Sequence, residues 1–356
     1  MRSSRTWRKT LSIVAVLAIA IVVLYFAFGL VDRLIDKAGG SPSSTASADS
    51  ISSQGTDSAV FSGTEDDPET AYAYADGQWY LPKTSLTTIL VMGIDRDESG
   101  SRETHQQADF LALLVLDDAD RTLSILHLNR DTMTDVIRLT SDGRKAGTVY
   151  RQLTLAHTFG INDKQRCRNT VETVQKMLFD IPIDHYLSMT MDGVAILNDS
   201  VGGVTLTLMD DFTHLNPAYT AGSVVTLRGE EALSYVQSRN NLTEEDKRTN
   251  LHRMERQRQY LGVLFSAFKN KMASSGTFFD STLLSLGSYL VSDMTLDQMS
   301  SFAGKFSEYS FPGEMLTIAG ETEVNTYMEF HMDNDDALRV VLSLFYDPCD
   351  DPRANG

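Results

Sequence analysis

The sequence predicts an α/β protein: a layered α-β-α domain with a central mixed sheet, carried on an N-terminal transmembrane helix. Three observations predict it. Ile89–Ile94, Phe110–Leu116 and Leu123–Leu128 are short runs, apolar at nearly every position, as strands buried on both faces require. Downstream, helical periodicities interleave with further strand-like runs, the order of a layered sheet. Finally, Leu11–Leu30 carries no charge, and at about 1.5 Å per residue it is long enough to span a hydrocarbon core of roughly 30 Å.

The N-terminal elements follow from charge and composition. Arg2, Arg5, Arg8 and Lys9 precede the apolar stretch, whereas Asp32, Arg33, Asp36 and Lys37 nearly cancel after it. The positive-inside rule therefore puts residues 1–10 in the cytoplasm, with residues 11–30 as a single-pass anchor and the rest of the chain extracytoplasmic. Residues 31–85 read as a linker rich in Ser, Gly, Thr, Ala and Asp. Residues 86–272 form the main domain, and residues 273–356 a mostly helical extension in which no chemistry is evident.

Within the main domain, Val149–Phe159 and Cys167–Leu178 are expected as helices, followed by a strand at His185–Thr190. Asp192–Ser200 is expected as a helix ended by Gly202 and Gly203, and Val204–Leu208 alternates as a strand does. Gly229–Val236 gives a short helix. Thr249 or Asn250 caps a long one whose apolar stripe runs from Leu251 to Met272. Further on, residues 283–291, 296–306 and 337–345 look helical, with a strand near 311–318. His157 and His185 fall inside these elements and are expected as hydrogen-bonded structural residues. Cys167 and Cys349 are expected as free thiols, with a single bridge as the alternative.

Composition narrows the function classes. With 31 Lys plus Arg against 48 Asp plus Glu, the formal charge of −17 excludes a general nucleic-acid binder. The chemistry-bearing residues gather at strand ends: Asp95, Asp109, Arg130 and Asp131 each sit where an apolar run starts or stops. Ligands of open α/β sheets bind along such an edge. Carboxylates there suit Mg²⁺, which binds through one or two of them together with phosphate oxygens. Arg253 and Arg256 share a face near the start of the long helix, with Gln257 four positions after Arg253. Arginines beside free helix N–H groups favour a phosphate-sized anion.

The ordered set Gly93-Ile-Asp95, Gln107-Ala-Asp109, Asn129-Arg-Asp131, Asn198-Asp-Ser-Val-Gly-Gly-Val204, Gly229-Glu-Glu-Ala-Leu-Ser-Tyr-Val236, Ser238-Arg239 and Asn250-Leu-His-Arg-Met-Glu-Arg-Gln257 resembles the LytR-CpsA-Psr family over about Thr87 to Lys271. The resemblance implies a membrane-anchored, Mg²⁺-dependent phosphotransferase that attaches a glycopolymer, of teichoic acid or capsular polysaccharide type, from a polyprenyl-pyrophosphate carrier to peptidoglycan. It implies Asp95 and Asp109 as metal ligands and Arg130, Arg239, Arg253 and Arg256 as arginines that contact the pyrophosphate or support its site, with Asp131 beside the first of them. It also implies a lipid tunnel between sheet and helices. Gln237 stands where many members have arginine, and Asn250 where many have an acid. The alternative is a binding or sensory module that holds the lipid pyrophosphate without turnover. A transcription regulator is disfavoured by the anchor's orientation and the acidic charge.

Overall fold

The computed structural model describes residues 60–63, 71–95, 106–190, 192–238, 251–275, 278–295, 298, 309–310, 315–325 and 327–352. The expected cytoplasmic segment, the membrane span and the linker up to residue 59 lie outside the described residues. Among the described residues no helix is long and apolar enough to cross a membrane.

Part of the stretch expected as linker is folded. Strands β1 (Val60–Gly63), β2 (Ala71–Ala75) and β3 (Gln78–Pro82) form a sheet completed by the last strand among the described residues, Tyr346–Cys349. The cause is local: Asp76 and Gly77 take φ of 50° and 78°, the left-handed pair that a two-residue hairpin needs, between runs of aromatic and small residues.

The apolar runs form the central sheet as expected. β4 (Leu86–Asp95), β5 (Gln107–Asp117) and β6 (Thr122–Leu128) are successive antiparallel neighbours. Beyond them the expected helix at Val149–Phe159 is instead β8 (Lys145–Gln152), paired with β7 (Met133–Leu139), followed by one 3₁₀ helix, Leu153–Thr158. An Asp142-Gly143 turn, with Gly143 at φ 82°, closes that hairpin and overrides the helical reading.

Next come α1 (Asp163–Met177), β9 (His185–Thr190), α2 (Asp192–Ser200), β10 (Val204–Thr207), β11 (Val224–Leu227), α3 (Glu230–Gln237) and α4 (Leu251–Ser274). The C-terminal part was expected to be mostly helical, and the structure corrects this. Among the described residues there, α5 (Phe278–Leu286) is followed by four strands, β12 (Leu290–Ser292), β13 (Met315–Leu316), β14 (Gly320–Val324) and β15 (Met328–Met332), then by α6 (Asn334–Phe345) and β16 (Tyr346–Cys349). β12 and β13 are the two edges of the central sheet, whose order is β12-β9-β4-β5-β6-β13. β9 pairs parallel with β4 and β13 parallel with β6, so the sheet is mixed.

Both faces of that sheet are buried. Leu90, Met92, Leu111, Leu113 and Val115 face Cys167, Val174 and Met177 of α1 and Val341, Leu344 and Phe345 of α6. Ile89, Val91, Ala112, Leu114 and Leu116 form the opposite face with Leu187 and Met294. A separate core joins α2, α3, α4 and the β10–β11 hairpin around Phe212, Tyr235 and Tyr260. Cys167 and Cys349 are free, and burial pushes the Cys167 thiol up to about 11, so it is inert as a nucleophile at neutral pH.

Candidate active site

Asp109 owes its position to a β-bulge. Gly93 pairs with Phe110, but Ile94 pairs with Ala108, so one residue of β5 has no opposite number, and that residue is Asp109. The cores record the slip. Ala108 packs on the α1 face of the sheet and Phe110 on the other, although residues two apart on a regular strand share a face. Asp95 is the last residue of β4, opposite Gln107, and its carbonyl accepts from the Gln106 N–H at 2.9 Å. The end of β4 thus meets the start of β5, as the sequence placement of the two aspartates requires.

Gln106 is itself held in the left-handed region, at φ 83°. Its carbonyl accepts from Nδ1 of His157 at 2.8 Å, and that histidine is 2 % exposed. His157 is therefore the structural residue expected, and it pins the backbone where β5 begins. His185 lies 3.6 Å from Asp293, also as a structural partner.

Arg130 and Asp131 leave β6 through a turn built by Asn129. The Asn129 side chain accepts from the Asp131 N–H at 3.0 Å, and its carbonyl accepts from the Thr132 N–H at 3.1 Å. The Arg130 carbonyl accepts from Thr154 N–H at 2.9 Å, and the Asp131 carbonyl from Phe330 N–H at 2.9 Å. Backbone contacts from two other segments thus fix this turn. From it the Arg130 guanidinium donates to Asp109. Its Nε lies 3.5 Å from Asp131 Oδ1 and, although shielded from solvent, has no hydrogen-bond partner among the described residues. A guanidinium N–H left without an acceptor beside two carboxylates is a donor available to an oxyanion.

The helix residues divide. Arg256, expected among the anion contacts, is fully buried. It donates to the Ser238 carbonyl, lies 3.4 Å from Asp210 Oδ2, and stacks over Phe212 and Tyr235 at 5.3 Å and 5.9 Å from the ring centroids. Helical phase is the reason: Arg256, Tyr260 and Leu264 recur every four residues and all face the core. Gln257 donates to the Val236 carbonyl at 3.1 Å. Both side chains therefore hold the C-terminal end of α3, next to Gln237, which is half-buried. Burial lowers the Arg256 pKa, partly countered by the Asp210 charge. The side chains of Arg239 and Arg253 lie outside the described residues, as does Asn250.

Sequence reasoning quoted Asn129 only as part of a motif, without its role in the turn, and missed Asp210 and the bulge. Asn129, directly before an Arg-Asp pair at a strand end, is a turn signal that was available. A cavity of about 470 Å³ opens between α2 and α5, lined by Ile196, Phe278 and Thr282 among others. The Ser200, Ser281, Thr282 and Ser285 hydroxyls each donate back to a carbonyl of their own helix.

A family model described as the LytR_cpsA_psr family matches residues 50–344. The polyisoprenyl-teichoic acid–peptidoglycan teichoic acid transferase TagU of Halalkalibacterium halodurans is 28 % identical over 257 residues, covering 71 % of this chain and 76 % of that protein. TagV of Bacillus subtilis, which carries the same transferase name, is 31 % identical over 183 residues, covering 50 % of this chain and 42 % of that protein. Among solved structures, that of B. subtilis TagV superposes with a TM-score of 0.52 at 24 % identity, covering 74 % of this chain and 96 % of the other. TagT bound to LI-WTA superposes with a TM-score of 0.52 at 21 % identity, covering 73 % and 90 %. These likenesses show the mixed α/β fold.

Proposed function

The chain belongs to the LytR_cpsA_psr family, and from that membership we propose that it transfers a glycopolymer, of teichoic acid or capsular polysaccharide type, from a polyprenyl-pyrophosphate carrier to peptidoglycan. The observation that carries the reading is the Arg130 Nε, buried beside Asp109 and Asp131 without an acceptor of its own. A pyrophosphate oxygen completes that donor. Arg239, Arg253 and Gln237 belong to the same proposal by their place in the sequence, as further donors. Gln257 and Arg256 serve it by fixing the α3 end.

Transfer of this kind is mostly positioning and charge stabilisation. The acceptor hydroxyl oxygen bonds to the phosphorus that carries the glycopolymer, and the bond from that phosphorus to the bridging oxygen breaks. Polyprenyl phosphate leaves with the electron pair. Arg130 spreads the charge that grows on the phosphate oxygens, and Asp131, 5 % exposed and next to it, takes the hydroxyl proton. Asp95 and Asp109 offer a hard carboxylate donor set from neighbouring strands, which fits Mg²⁺. When bound, the ion would add positive charge against the pyrophosphate. The expected setting is a cell membrane, with residues 11–30 as a single-pass anchor and the domain outside the cell.

Incubating the detergent-solubilised chain with lipid-linked glycopolymer and peptidoglycan tests this, with polyprenyl monophosphate measured by mass spectrometry. Its release, lost in Arg130→Ala, supports the transferase. Retention of the lipid pyrophosphate without release supports the binding module instead.

A further inference from the structure

We infer that the β14–β15 hairpin carries a divalent transition-metal site formed by Glu323, Glu329 and His331, separate from the Asp95–Asp109 pair. The register places Glu323 opposite Glu329 and Glu321 opposite His331, so all four side chains project from one face of the hairpin. Like charges directly opposite across two strands destabilise the pairing. A cation between Glu323 and Glu329 removes that penalty.

The imidazole supplies the second observation. His331 Nε2 is shielded from solvent and has no hydrogen-bond partner among the described residues. It lies 3.6 Å from Glu329 Oε2 and 3.9 Å from Glu323 Oε2, too far for a hydrogen bond of about 2.7–3.2 Å. One ligand atom from each of the three residues lies within 4.8 Å of the others. Two ligands of a tetrahedral ion, each bonded at about 2.1 Å, stand about 3.4 Å apart, which the two His331-to-carboxylate separations of 3.6 Å and 3.9 Å approach. One nitrogen and two carboxylates suit Zn²⁺ and its transition-metal neighbours better than the all-oxygen preference of Mg²⁺ or Ca²⁺. Asn325 donates to Glu329 Oε2 at 3.2 Å and orients that carboxylate. The hairpin closes tightly: a Cβ at Gly320 would collide with the His331 carbonyl oxygen.

The site is tied to the catalytic turn. Phe330, between two of the ligands, donates its N–H to the Asp131 carbonyl at 2.9 Å, and Gln152 donates to the Met328 carbonyl at 3.2 Å. A metal that stiffens β15 thus stiffens the backbone that carries Asp131. This holds whether or not the domain is a transferase.

The test is calorimetric titration of the untagged full chain in detergent, stripped with chelator, against ZnCl₂. One Zn²⁺ per chain is expected to remain bound in an Asp95→Ala/Asp109→Ala variant, while His331→Ala and the isosteric Glu329→Gln and Glu323→Gln each weaken it at least about tenfold. Zn²⁺ should also raise the melting temperature of the wild type more than that of Glu329→Gln, a comparison that stands even if His331→Ala folds poorly. Absence of a one-to-one site, or equal Zn²⁺ affinity in the wild type and all three ligand variants, overturns the proposal.

Discussion

Arg130 reaches across from the turn after β6 and donates to Asp109, the extra residue in the bulge of β5. The contact couples the two residues that sequence reasoning assigned separately, one to phosphate and the other to metal. Their side chains are 14 % and 12 % exposed, so the pair is largely desolvated. Removing one partner strands the other charge, at a cost of about 3–5 kcal/mol for a fully buried pair and less here, where water still reaches both. Arg130→Ala and Asp109→Ala are each expected to lower the denaturation midpoint, and the double variant to lower it by less than the sum. Strictly additive effects in urea titrations would show that the two side chains do not interact.

Arg256 is expected to be a stability residue first. Its guanidinium is fully buried against Asp210, itself 12 % exposed, and carries the Ser238 carbonyl. Arg256→Ala should cost about 3 kcal/mol, or roughly 6–12 °C in melting temperature for a domain of this size. Gln257→Ala should cost about 1 kcal/mol, the usual worth of one hydrogen bond. Calorimetry that finds Arg256→Ala as stable as the wild type would return Arg256 to the list of solvent-facing cations.

The pattern of what was legible follows from burial. β4, β5 and β6 could be read because strands buried on both faces leave continuous apolar runs, as Ile89–Met92 and Leu111–Leu116 do. β8 could not, since most of its side chains are exposed and only the Asp142-Gly143 turn announced it. β12 and β13 are too short for any period, and their partners β9 and β6 lie far away in sequence. The bulge was invisible because Ala108 and Phe110 are both apolar and fit either face. The phase of α4 was in principle readable: Arg256 shares a stripe with Tyr260 and Leu264, and that stripe faces the core.

A pH dependence comes from Asp117, at the end of β5. Burial pushes its pKa up, but hydrogen bonds from Ser85, the Ala119 N–H and Lys83, with the Lys83 charge, outweigh this and hold it below its ordinary value. The unfolded chain therefore binds that proton first, near pH 3.9, while the folded state resists it. The stabilisation is present above about pH 4 and is lost as pH falls through the folded pKa. Asp117→Asn should lower the melting temperature at pH 7 and flatten its decline below pH 4. An unchanged acid limb in that variant would remove Asp117 from the account.

Gln237 is the last residue of α3 and half-buried. Restoring the arginine usual in the family with Gln237→Arg is expected to tighten binding of a polyprenyl pyrophosphate about tenfold, since a hydrogen bond to a charged group contributes about 1.5–3 kcal/mol. Isothermal titration with a short-chain prenyl pyrophosphate reads this directly. No gain would mean that position 237 does not face the phosphates.

We propose that the phosphodiester is made at the cluster of Arg130, Asp109 and Asp131 at the end of the central sheet. The most direct measurement is incorporation of radiolabelled glycopolymer from its lipid carrier into peptidoglycan by the full chain, its Arg130→Lys variant and its Asp131→Asn variant. Arg130→Lys keeps the charge but loses the planar fork, so a fall of at least about tenfold is expected. Asp131→Asn should fall further while the folded structure, followed by circular dichroism, stays intact. Undiminished incorporation by both folded variants would contradict the account.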